Sequence, residues 1–218
     1  MIVAPDWHYI VKDNFFDQST YQLLMHRFRQ LEEKLDIPKK EQMQVVYSNT
    51  IKTRLQQFPE PSNGGNSVVK NVQHDPDVVK ILQEKVVDTL LHVKKFYETE
   101  IYRTYSYLSE EPIPFENLDY IYQLIICGRE YVYPWHTDSS TKVISVVVYM
   151  NETNNGTELS QTHLKEKHNE EWQVQESEKV LWKPNRALIF CGTPSRLHNY
   201  SSNHLTNRNT IVMNLLQR

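Results

Sequence analysis

The stretch YQLIICGREYVYPWHTD (122–138) contains an apolar strand pattern that leads into a histidine and an aspartate two residues apart. A second apolar run, KVISVVVYM (142–150), follows it, so both residues lie between rigid supports. Side chains alternate along a strand, and residues two apart therefore point to the same face. The pattern predicts that His136 and Asp138 can chelate one metal ion.

A second histidine and an arginine stand near the C-terminus. His198 lies in SRLHNYSS, and Arg208 opens the apolar run RNTIVMNLLQ. Two imidazoles and one carboxylate are the ligand set of non-haem ferrous sites that keep coordination positions open. A buried arginine beside the hydroxyl of Thr210 is costly unless an anion is present, and the carboxylate of an iron-bound keto acid would be that anion. The combination predicts oxidative chemistry.

The His-x-Asp pattern is weak by itself, because the chain contains nine histidines. A similar pair, His168 and Glu170, stands in the charged segment KEKHNEEWQVQESEK (165–179), where no apolar run precedes the histidine. That segment is typical of an exposed hairpin or long loop, and an inert surface hairpin is favoured over a lid. We therefore place the metal site at His136 and not at His168.

Size and composition indicate one globular domain. At 218 residues and 26.0 kDa the chain can bury a sizeable core, and we expect a single domain over residues 1–218. The net charge of −3 gives no electrostatic footprint for nucleic acid or an anionic membrane. Neither a signal peptide nor an apolar run long enough to span a membrane is evident, which predicts a cytoplasmic protein. Cys127 and Cys191 lie in apolar runs and are expected to be buried free thiols.

The pattern along the chain changes from helical to extended near residue 101. Residues 17–38 predict a first helix capped by Asp17 or Ser19, residues 56–66 a loop, and residues 75–97 a second helix. Strand patterns follow at 120–127, 142–150, 157–159, 186–191 and 209–216. We expect an α+β fold in which N-terminal helices pack on one sheet of a β-sandwich or barrel.

The stretch 122–138 resembles the metal-binding segment of the 2-oxoglutarate- and Fe(II)-dependent oxygenases, especially their prolyl-4-hydroxylase-like group. The similarity continues, in family order and spacing, through VVVYMN (146–151), NNGTEL (154–159), WKPNRALIFCG (182–192), RLHNY (196–200) and RNTIVMNLL (208–216). The resemblance implies a double-stranded β-helix (jelly-roll) core over about 101–218, with a helical support over about 1–100.

The resemblance also implies roles for particular residues. Three of them would hold iron: His136, Asp138 and His198. Arg208 would bind the distal carboxylate of 2-oxoglutarate, with Thr210 where the family often has serine. Tyr149 falls where related hydroxylases place a tyrosine that reaches the same carboxylate, and Gly156 would shape the turn that lets the next strand pass the site. No side chain beyond the metal ligands is needed for catalysis.

One departure from the family concerns the residue before Gly128, which is a tyrosine in many relatives and Cys127 here. A contact with the keto acid expected at that position is therefore in question. Tyr122 and Tyr131 are alternative sources of it.

The implied activity is the hydroxylation of an unactivated C–H bond with Fe(II), 2-oxoglutarate and O2, with ascorbate as a stimulant. The substrate would be a prolyl or peptide side chain, or a small amino acid. Nucleic-acid demethylation is a lesser alternative, because Arg208 is followed by apolar residues to Leu216. A cupin-type metal-binding jelly roll with other chemistry, or an inactive relative kept as a binding module, also remains open. Nothing in the sequence indicates the oligomeric state.

Overall fold

A computed structural model describes a little over half of the chain. The described residues are 9–34, 43–51, 68–70, 118–129, 131–139, 141–152, 155–160, 166–168, 171–174, 177–191, 197–201 and 206–216. In chain order their elements are β1 (Tyr9–Lys12), α1 (Gln18–Lys34), β2 (Met43–Ile51), β3 (Val68–Lys70), β4 (Asp119–Cys127), β5 (Val132–His136), β6 (Lys142–Tyr149), β7 (Thr157–Ser160), β8 (Glu166–His168), β9 (Glu171–Gln173), β10 (Ser177–Val180), β11 (Arg186–Cys191), β12 (His198–Ser201) and β13 (Arg208–Leu216).

Two sheets form the body of the molecule. One has seven strands in the order β1-β11-β6-β13-β4-β2-β3, and the other has four in the order β10-β7-β12-β5. Strand neighbours are antiparallel except β2 and β3, which are parallel. From β4 to β13 the chain alternates between the two sheets, with one exception. β7 is followed, after the separate β8-β9 hairpin, by β10 of the same sheet. This winding is that of a jelly roll, which confirms the predicted core.

The single helix of the described region packs on the outer face of the seven-stranded sheet. Asp17 caps it, because its Oδ1 accepts the N–H of Thr20 at 2.9 Å. Leu24 and Phe28 are fully buried against apolar side chains of the sheet. The Tyr21 hydroxyl adds a hydrogen bond of 2.5 Å to the carbonyl of Met150. The first predicted helix is therefore present and lies on one sheet, but the prediction of more than one N-terminal helix is not confirmed.

The predicted helical support is wrong in one respect, since the first 70 residues also supply strands. β1 pairs with β11 and β2 pairs with β4, so these strands extend the seven-stranded sheet on both sides of its jelly-roll members. Covering an edge in this way satisfies backbone groups that would otherwise remain unpaired. The loop at 56–66 and the second helix at 75–97 lie outside the described residues.

The strand predictions correspond closely to β4, β6, β7, β11 and β13. The charged segment 165–179 contains an antiparallel hairpin formed by β8 and β9, followed by the start of β10. Between the sheets an inner core contains Leu159, Val180, Leu188 and Phe190. Across the described ranges, no helix has the length and apolarity required to cross a membrane.

Candidate metal centre

Two strands of the four-stranded sheet bring the histidines together. His136 ends β5, His198 begins β12, and the two are direct partners in the antiparallel register. Their ring centroids are 4.1 Å apart. Asp138 follows β5, and one donor atom from each of the three residues lies within 4.8 Å of the other two. Two imidazoles and a carboxylate at this spacing form a metal-ligand set.

The histidine at the end of β5 is prepared to act as a ligand. Its Nδ1 lies 2.9 Å from the carbonyl of Pro134, which can only accept, so Nδ1 carries the proton and Nε2 has the free lone pair. Burial lowers the pKa of His136, which favours the neutral imidazole that a metal requires.

The carboxylate is held by two side chains of β6. Lys142 Nζ donates to Asp138 Oδ1 at 2.6 Å, and Ser145 Oγ donates to Oδ2 at 2.7 Å. Burial opposes ionisation of this carboxyl, but the charges of Lys142 and His198 and the two hydrogen bonds outweigh it and lower the pKa of Asp138. The carboxylate is therefore ionised at neutral pH.

The route by which Asp138 reaches the histidines differs from the prediction. β5 ends at His136, and residues 137–139 have no strand structure. Strand alternation therefore does not place Asp138 beside His136. The turn after β5 and the contacts from β6 do so.

The predicted anion-binding residue lies at the start of β13. Arg208 is only 2% exposed, and its Nε has no hydrogen-bond partner. Within the described part of the chain, no carboxylate forms an ion pair with it. A buried guanidinium in this condition fits an anionic ligand, which would supply the missing charge. Thr210, two residues further on, is buried on the same face of the strand.

A cavity of about 580 Å³ opens between the sheets and joins these groups. Its wall contains His136, Asp138, His198, Arg208 and Thr210. The volume falls within the range of small-molecule sites. One cavity therefore presents both a metal-ligand set and an anion-binding group, a combination that fits an iron ion with a keto acid.

Tyr149 is placed differently from the other predicted residues. It is fully buried, its hydroxyl donates to Thr157 Oγ1 at 2.8 Å, and its ring stacks on Trp182 at 4.1 Å. Thr157 lines the cavity, whereas Tyr149 is not part of the described lining. A contact between Tyr149 and a keto acid stays a prediction.

Sequence reasoning did not predict that aromatic rings lie against Arg208. The guanidinium carbon lies 3.6 Å from the centroid of the Tyr200 ring and 4.9 Å from that of Trp182. Tyr200 could have been found, since it is two residues after His198 on one strand. Trp182 precedes β11 and gives no comparable signal. Cys127 is fully buried opposite Arg208 in the β4–β13 register, Tyr131 packs on Tyr200, and the Tyr122 side chain lies outside the described atoms.

No protein-family model matches the sequence, and no curated protein matches it. Solved structures do resemble it. A Pseudomonas putida prolyl-4-hydroxylase has a TM-score of 0.57 at 10% identity, over 97% of this chain and 94% of that chain. A Trichoplax adhaerens prolyl hydroxylase in complex with a hypoxia inducible factor oxygen degradation domain peptide fragment has a TM-score of 0.52 at 11% identity, over 95% and 83%. A viral collagen prolyl hydroxylase from Paramecium bursaria Chlorella virus-1, in a 2OG complex, has a TM-score of 0.50 at 11% identity, over 100% and 99%.

The chain therefore has the fold of the 2-oxoglutarate- and Fe(II)-dependent oxygenases. Prolyl-4-hydroxylases are among its structural neighbours, so the fold is the one that the resemblance in residues 122–216 implies.

Proposed function

We propose that this protein is a 2-oxoglutarate- and Fe(II)-dependent dioxygenase that hydroxylates an unactivated C–H bond. The observation that carries the proposal is the convergence of His136, Asp138 and His198 with the buried guanidinium of Arg208 on one cavity. Fold similarity alone would leave the chemistry open, because one fold hosts many functions. The proposal rests on the site.

In this proposal the three cavity ligands hold Fe(II), which supplies the oxidative chemistry with O2 and the keto acid. Arg208 binds the distal carboxylate of 2-oxoglutarate through its N–H groups, and the Thr210 hydroxyl lies beside it. Arg208 and Thr210 are both buried, which strengthens these charge contacts. No side chain has to act as a general acid or base.

The substrate we favour is a prolyl side chain in a peptide, with a small amino acid as the second candidate. The favoured substrate is supported by the Trichoplax relative, whose structure contains a peptide fragment. We also propose that residues 1–218 act as one oxygenase domain. β1 and β2 support this, because both pair directly with strands of the jelly roll.

The experiment that tests the proposal measures succinate formed from 2-oxoglutarate. The purified protein is loaded with Fe(II) without oxygen, exposed to O2, and compared with His136→Ala and Arg208→Ala. We expect iron-dependent succinate in the parent protein and at least a tenfold loss in either variant, because an interaction of about 1.4 kcal/mol corresponds to a factor of ten. His168→Ala, which changes a histidine on β8, serves as the matched control and should retain activity.

Binding of 2-oxoglutarate is measured alongside turnover, by calorimetry under nitrogen. Binding without succinate formation would indicate that turnover requires the prime substrate, and peptides that contain proline are then added. Absence of both binding and succinate contradicts the proposal and favours a cupin-type metal protein or a binding module.

A further inference from the structure

The guanidinium of Arg208 lies within a stack of four aromatic side chains. The rings of Tyr149 and Trp182 are nearly parallel, with centroids 4.1 Å apart and an interplanar angle of 12°. The guanidinium carbon follows, 4.9 Å from the Trp182 centroid and 3.6 Å from that of Tyr200. Tyr200 in turn stacks on Tyr133 at 5.2 Å and 18°. We call Tyr149, Trp182, Tyr200 and Tyr133 the aromatic column.

The aromatic column also reaches the metal side of the cavity. The ring of Tyr133 meets the ring of His136 edge to face, with centroids 4.1 Å apart. His136 and Arg208 are therefore connected by two stacked tyrosines, Tyr133 and Tyr200. Rings in contact have few ways to rearrange in a close-packed interior. The distance between the metal ligands and the arginine is therefore expected to vary little.

The contacts of Arg208 suit a binding group that is oriented in advance. A separation of 3.6 Å is van der Waals contact, so the guanidinium lies against the Tyr200 ring. Contacts with ring faces leave the N–H bonds available, and Nε has no hydrogen-bond partner. Cys127, opposite Arg208 in the register, belongs to a buried cluster against which Tyr200 packs.

We propose that Trp182 and Tyr200 are specificity-determining positioning residues, which fix the Arg208 guanidinium and thereby set the length of keto diacid that the site accepts. This inference rests on the proposed function and adds a basis for its selectivity. A diacid that chelates the metal at one end must reach a fixed guanidinium with the other. One methylene more or less then misplaces the distal carboxylate, because the guanidinium cannot follow it.

The test is calorimetry of anaerobic Fe(II)-loaded protein with three ligands that differ at the distal end. They are 2-oxoglutarate, 2-oxoadipate with one more methylene, and 2-oxobutyrate without a distal carboxylate. The parent protein should bind 2-oxoglutarate at least about tenfold more tightly than 2-oxoadipate. Tyr200→Met and Trp182→Met keep the space filled but remove the ring faces. Each should weaken 2-oxoglutarate binding about tenfold and reduce the ratio between the diacids.

Conservative variants separate positioning from general damage to the fold. Tyr200→Phe and Trp182→Phe keep an aromatic ring at each position and should keep at least half of the parent discrimination. Binding of 2-oxobutyrate should be unchanged in all four variants, whereas a disturbed cavity would weaken all three ligands alike. If the methionine variants do not fold, Arg208→Lys is tested instead. It replaces the planar guanidinium, which stacks on the rings, with a flexible ammonium group, and it should also lose the discrimination between the two diacids.

The inference is overturned if the methionine variants discriminate between the diacids as the parent does, or if they weaken 2-oxobutyrate equally. In either case Arg208→Ala would still lose 2-oxoglutarate, and the proposed function would stand. A parent protein that binds none of the three ligands contradicts both the proposed function and this inference.

Discussion

At the scale of single residues, the charges in the cavity are arranged for ligands that the chain itself does not supply. Arg208 is 2% exposed and Asp138 is 8% exposed, yet neither pairs with the other's charge. Asp138 is instead held by Lys142 and Ser145. Arg208 has no ion pair among the described residues, and a buried charge in that condition is costly in free energy, which is typical of a binding site for an anion.

The thiol of Cys127 provides a prediction at this scale. Burial raises the pKa of Cys127 to about 11, against the smaller opposing effect of the Arg208 charge. Only the thiolate reacts readily with alkylating reagents. In a Cys191→Ser variant, Cys127 should therefore remain unlabelled by iodoacetamide at pH 8 in the native state and be labelled fully in denaturant. Mass spectrometry measures the added group, and rapid native labelling at pH 8 would contradict the assigned environment.

At the scale of elements, the close packing of β7 against β10 depends on Gly156, which has no side chain. An ideal Cβ on Gly156 would lie 1.9 Å from the carbonyl oxygen of Val180, and this oxygen belongs to backbone that cannot rotate away. The next residue, Thr157, pairs with Val180 in the register. Gly156 therefore sets how closely these strands pack beside the cavity.

Gly156→Ala should destabilise the protein by about 1–3 kcal/mol, because the strands must separate to accept the methyl group. Urea unfolding followed by circular dichroism measures the change. Glu158→Ala, a partly exposed position on β7, is the control and should cost less than about 1 kcal/mol. Equal stability of Gly156→Ala and the parent would show that β7 and β10 can separate freely.

The docking of α1 gives a second prediction for an element. Phe28 is fully buried between the helix and the outer face of the seven-stranded sheet. Phe28→Ala should cost about 3–5 kcal/mol through lost burial and the cavity left behind. Gln22→Ala, at an exposed position of the same helix, should change the free energy of unfolding by no more than about 0.5 kcal/mol. A cost for Phe28→Ala similar to that of Gln22→Ala would contradict the packing.

At the scale of the whole molecule, metal binding should stabilise the fold. The ligands come from β5, the turn after it, and β12, so an ion would join segments far apart in sequence. A ligand that binds only the folded state at about 100 times its Kd adds about 2.7 kcal/mol. For a chain of this length that corresponds to a rise in Tm of roughly 5–10 °C.

Thermal unfolding with and without Fe(II) under nitrogen measures this rise, and a chelator should reverse it. His198→Ala removes one ligand and should abolish most of the rise, whereas His168→Ala should retain it. An equal rise in all three proteins would indicate that the metal binds elsewhere on the chain.

The sequence by itself determined the features that depend on neighbours along the chain. The helix with Asp17 at its start and the apolar strands follow from helical spacing, strand alternation and capping chemistry, which are local. The prolyl-4-hydroxylase-like resemblance added the jelly-roll core and the roles expected of His198 and Arg208.

Only the tertiary structure decided which distant residues meet. β1 pairs with β11 across most of the chain, Lys142 and Ser145 hold Asp138 from another strand, and Trp182 and Tyr200 lie against Arg208. Such contacts leave no periodic signal, because they depend on strand order and register between segments far apart in sequence. Their free energy is gained only when both sheets have formed around one cavity.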